Sequence, residues 1–121
     1  YYALNVCNAV MVGRAQHGYA SGERYENVTR ERVRVERDLS SMIDRRRDVE
    51  DRLNRLERDI KRDRDNKDRP KNDENAKIDK KREQERDDLS RTIRDFNRKI
   101  DDLQMWRMRY TDQLESIMRS L

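Results

Sequence analysis

The chain has 121 residues, 30 Lys and Arg against 26 Asp and Glu, and a formal net charge of +4. Charged residues make up 46% of it and apolar residues only 32%, well below the near-half apolar content of a layered globule. No run approaches the ~20 apolar residues of a membrane helix. One Cys excludes an internal disulfide, and one Cys with one His excludes a Cys/His zinc site.

Residues 1–22 hold all three glycines, the only Cys (Cys7), the only His (His17) and the densest apolar run, Ala9-Val10-Met11-Val12. Leu4, Cys7 and Met11 suit one helical face, whereas Val10 and Val12 suit a strand. We read this stretch as a short N-terminal docking segment, with Gly13 to Gly22 as a linker. The chain begins with Tyr, as expected of a processed protein or a piece of a longer one.

From Glu23 onward there is no Gly, and the sole Pro is Pro70. One helix breaker near the middle of so long a stretch predicts two long helices joined by a turn. The first is expected over 23–68. Tyr25, Val28, Arg32, Val35, Leu39, Met42, Arg46, Val49, Leu53, Leu56 and Ile60 recur in alternating steps of three and four. This is a 3.5-residue repeat, the seam of a coiled coil. Past Ile60 it runs into Asp63 and Lys67 and fails.

The turn is expected over 69–73, in Arg69-Pro70-Lys71-Asn72-Asp73, which is rich in turn formers. Asn72 or Asp73 is the expected N-cap of the second helix, and Ser21 or a neighbour that of the first. Residues 61–82 carry ten bases: Lys61, Arg62, Arg64, Lys67, Arg69, Lys71, Lys77, Lys80, Lys81 and Arg82. They carry six acids, so the whole net charge of +4 sits here. Only Ala76 and Ile78 offer apolar surface in this stretch, which predicts a poorly packed, mobile tip.

The second helix is expected over 74–121. Its seam is Leu89, Ile93, Phe96, Ile100, Leu103, Arg107, Tyr110, Leu114, Ile117 and Leu121. Pairing residue i with residue 142−i sets the two seams against each other in antiparallel fashion. Val28 then meets Leu114, Tyr25 meets Ile117, and Leu39 meets Leu103. Arg46 faces Phe96 and Arg32 faces Tyr110, where a guanidinium can lie on a ring. Arg107 faces Val35 and reaches toward Glu31 or Glu36. The expected fold is therefore all-α, a long antiparallel two-helix coiled-coil hairpin with a short N-terminal docking segment. Helices of ~45 residues would be ~65–70 Å long.

Off the seam, Met105, Trp106, Met108 and Met118 are predicted to cluster at the base of the hairpin. Exposed large apolar residues mark contact surfaces. With Leu4, Val10 and Val12 they form the expected partner-binding set. The alternative site is the basic tip, for nucleic acid or another acidic surface. Its interleaved acids favour a solvated loop instead, and no aromatic lies between Tyr25 and Phe96 to stack on bases.

Catalysis has little support in the residues. Cys7 and His17 lack a third group or a phosphate loop, and a two-helix seam offers no cleft to tune carboxylates. The Asn27-Val28-Thr29 sequon abuts a seam residue and reads as chance. The sequence thus predicts a non-enzymatic structural or assembly protein, without cofactor, metal or small-molecule substrate. The expected partners are other subunits or copies of itself, with nucleic acid second and no membrane span. The expected location is intracellular, cytoplasmic or cytoskeletal.

Overall fold

A computed structural model describes the backbone of residues 15–121, and side-chain surroundings from residue 22 onward. The predicted docking residues Leu4, Val10 and Val12 lie outside the described residues. Helix α1 spans Ala15–Asp65 and helix α2 spans Asp73–Arg119. The fold is an all-α helical hairpin, and no strand occurs among the described residues.

Helix α1 starts earlier than the glycines suggest. It runs through Gly18, Ser21 and Gly22, so the linker reading of 15–22 and the Ser21 cap are corrected. Gly costs about 1 kcal/mol against Ala within a helix, yet tertiary packing overrides propensity. Gly22 is buried, which supplies that packing.

At its other end α1 stops at Asp65, three residues before the predicted boundary. The chain turns here by local hydrogen bonds. Asn66 N–H donates to Asp63 O, and Arg69 N–H donates to Asn66 O, both at 3.3 Å. The Asn66 side chain accepts from Asp68 N–H at 3.1 Å, an Asx turn that competes with the helix. Pro70 then disfavours a helical Arg69. Arg62 and Arg64 in the last turn suit the negative end of the α1 dipole.

Asn72 is the N-cap of α2. Its Oδ1 accepts from Asn75 N–H at 2.8 Å, and its carbonyl accepts from Ala76 N–H at 3.0 Å. Asp73 and Glu74 occupy the first turn, where negative charge suits the dipole. The Asn75 amide also donates to Pro70 O at 2.6 Å, tying the cap to the loop.

The chain forms two compact units. Of the described residues, one unit combines those up to Ser40 with Asp101–Leu121, and the other is Ser41–Ile100. In the first, Tyr25, Val28, Leu114 and Ile117 make one buried cluster, with Tyr110 packed against it. These are the residues that the 142−i pairing sets opposite each other. Val35 and Leu39 are also buried there.

In the second unit only Ile100 is buried, whereas Val49, Leu53, Leu56, Ile60, Leu89, Ile93 and Phe96 are half-buried. Two helices cover one narrow stripe, so their seam keeps an open edge to solvent.

Four arginine and terminal assignments differ from the sequence reading. Arg46 is held by Asn97 at 2.9 Å and Glu50 at 3.1 Å, not laid on Phe96. Arg32 pairs with Glu36 at 3.8 Å. Arg107 is exposed, and Glu31 is instead paired with Arg34. Leu121 lies beyond the end of α2 and is exposed. A charged or terminal residue leaves a narrow seam readily, because water is one side-chain length away.

Candidate functional site

Two places carry side chains that the seam does not use. The first is the face of α2 around Trp106. Its indole is 45% exposed, a large apolar surface to leave in water. It is nevertheless held in place. The Trp106 and Tyr110 rings lie 5.7 Å apart with a 30° tilt. The Arg109 guanidinium carbon sits 5.1 Å from the Trp106 ring, a cation–π contact. Tyr110 is itself packed on the buried cluster, so the indole is anchored to the core through one neighbour.

The predicted cluster of Trp106 with three methionines does not form as one patch. Successive helical residues are separated by about 100°. Met105 and Met108 therefore lie on the side of α2 opposite Leu114 and Ile117. Trp106 and Met118 flank that seam on opposite sides. All four are exposed, Met108 most of all at 66%. Val33, at 42%, is a further exposed apolar residue in the same unit.

The second place is the tip, residues 61–82. The heptads fail there in apolar terms, but the seam positions are filled by charge. Arg69, from the connecting loop, donates to both Asp79 carboxylate oxygens at 2.9 and 3.1 Å. It also lies 3.8 Å from Asp63 of α1. Arg82 of α2 hydrogen-bonds the same Asp63. One acid from each helix and one base each from the loop and α2 make a clasp. Arg69, Asp63 and Arg82 are each only about a fifth exposed. The helices thus continue to Asp65 and from Asp73 although this stretch offers little apolar surface.

The clasp has an electrostatic signature. The Arg82 hydrogen bond holds the Asp63 carboxyl below its ordinary value of 3.8. Desolvation opposes this, and the charges of Arg82, Arg69 and Arg62 reinforce it. A depressed carboxyl contributes stability that is complete above its unfolded value and lost as pH falls through the folded one. Acidification below about pH 3.8 is therefore expected to loosen the tip. Hydrogen exchange of the Asp79–Arg82 amides, corrected for intrinsic rate, reads this out between pH 5 and 2. We expect the wild type to lose protection over that range and Asp63→Asn to be less protected than the wild type at pH 5 but like it at pH 2. Equal protection of the two proteins at pH 5 would contradict the clasp.

Sequence reasoning assigned Arg69 and Arg82 to a binding surface, whereas both are engaged within the chain. Arg62 and Arg64 are engaged as well, with Asp59 at 3.2 Å and Asp65 at 3.7 Å. Among the described residues no group of His, Cys, Asp and Glu is placed to hold a metal ion. No described helix is long and apolar enough to cross a membrane. No protein-family model, curated protein or solved structure matches the chain.

Proposed function

We propose that the chain is a non-enzymatic assembly element, a helical hairpin that docks onto another protein subunit through the Trp106 face. The observation that carries this is the state of the indole: nearly half exposed, yet fixed by Tyr110 and Arg109. Trp and Arg are enriched among the residues that dominate binding energy. A side chain already held in place loses less conformational freedom on docking. The mixed charges elsewhere keep the remaining helix faces hydrated.

The test is Trp106→Ala in the full chain in its native cell. Circular dichroism is expected to be unchanged, because the indole is outside the buried cluster. Recovery of the complex that co-purifies with the chain is expected to fall at least about tenfold. The loss should be nearly the same at low and high salt. Undiminished recovery with the variant would overturn the reading. A photo-crosslinker at Gln113, exposed and about two turns along the same side of α2 as Trp106, supplies a second readout, expected to yield one discrete protein adduct.

A further inference from the structure

The tip divides its two kinds of base by task. All four of its arginines are in ion pairs, Arg69 and Arg82 in the clasp and Arg62 and Arg64 along α1. All six of its lysines, Lys61, Lys67, Lys71, Lys77, Lys80 and Lys81, are exposed and make no ion pair. The whole chain has only one other lysine, Lys99. Arg69 and Arg82, whose planar forks suit a fixed carboxylate, hold the tip together, and lysine, a mobile point charge, is left facing water.

The clasp also determines what charge remains. It sets Asp63 and Asp79 against Arg69 and Arg82, and Arg64 cancels Asp65. Arg62 is matched by Asp59. Within 61–82 the six lysines are left against Asp68, Asp73 and Glu74, and the last two sit at the positive end of the α2 dipole; Glu57, Glu83 and Glu85 lie one turn from Lys61, Lys80 and Lys81 but pair with none of them. Lys77, Lys80 and Lys81 fall within about 100° of one another on the side of α2 turned away from its seam. Lys67 and Lys71 flank Arg69, so the loop that carries them is pinned to both helices by the clasp.

We propose that this lysine cluster is a docking surface for the phosphate backbone of a nucleic-acid duplex, bound without regard to sequence. Three features select this anion. Exposed lysines gain little from a carboxylate on a protein surface, about 0–1 kcal/mol per pair. They gain much more from a polyanion dense enough to release condensed counterions. Basic clusters that seek lipid headgroups adjoin a membrane span or an amphipathic apolar face, and here the only large apolar residue among 61–82 is Ile78. A single strand is gripped by stacking on aromatic rings, and the tip has none. The tip has neither an aromatic nor a groove-reading element, so the contact is to phosphate, which carries no sequence information.

The experiment is fluorescence anisotropy of a labelled 20-base-pair duplex with the full chain, from 50 to 200 mM NaCl. About three phosphates neutralised predict a loss of affinity of about 40-fold over that range. Replacing all six tip lysines by Gln is expected to weaken binding at 50 mM at least about 30-fold, with unchanged circular dichroism. Lys99→Gln is expected to bind like the wild type. Binding by the six-lysine variant within twofold of the wild type would overturn the proposal. So would a salt effect below about fourfold. Capture by phosphatidylserine vesicles, or displacement by polyglutamate, at salt where the duplex stays free would reassign the surface to lipid or to acidic protein.

Discussion

Leu114→Ala is expected to lower the stability of the chain by about 3 kcal/mol. Leu114 is 5% exposed and shares one buried cluster with Tyr25, Val28 and Ile117. Truncation removes the transfer free energy of its lost carbons and leaves a cavity that two packed helices close only in part. Cores of this size are marginal, and native stabilities are themselves only about 5–15 kcal/mol. The variant is therefore expected to lose much of its helical signal at 37 °C. Urea unfolding followed by circular dichroism measures this, and a loss under 1 kcal/mol would show that the cluster does not hold the helices. Met108→Ala, on the exposed side of the same helix, is the control, with an expected change within about 0.5 kcal/mol.

Asn54→Pro is expected to cost about 3 kcal/mol or more. Asn54 is exposed on α1, far from either end of the helix, so its side chain contributes little. Proline there removes one backbone donor and clashes with the preceding turn. Asn54→Ala, which leaves the backbone intact, is expected to be nearly neutral. The pair isolates the continuity of α1 through the half-buried stretch from Val49 to Ile60. A proline tolerated at position 54 would mean that this stretch is not a continuous helix.

Much of the fold was legible because one physical rule, the 3.5-residue repeat, runs through both helices. Tyr25, Val28, Leu114 and Ile117 are set opposite each other by spacing alone, and they are the residues that form the buried cluster. The rule was weaker wherever a side chain has a way out. Arg107 occupies a seam position in the count but lies in solvent, because a long charged side chain escapes a narrow stripe. Glycine misled at the start of α1, where burial of Gly22 outweighs its poor propensity.

The clasp was missed for a different reason. Asp63 and Arg82 continue the three-and-four spacing past Ile60 and back from Leu89, and Asp63 meets Asp79 in the 142−i pairing. Reading seams only for apolar residues discards that signal. Oppositely charged residues at consecutive seam positions around a turn are the pattern that finds it. The face around Trp106 was legible as exposed apolar residues off the seam. Its division among different sides of α2 follows from helical angle and needed only to be drawn out.

The antiparallel fold-back itself is tested most directly by one distance. Spin labels at Glu26→Cys and Ser116→Cys, in a Cys7→Ser background, probe two residues of the unit that contains the buried cluster. Dilution with excess unlabelled protein restricts the signal to pairs within one chain. Helices packed side by side have axes about 8–10 Å apart, so with label arms the expected distance is about 20 Å or less. A distance near ~135 Å, from ~90 residues at 1.5 Å each, would mean one continuous helix and would contradict the hairpin.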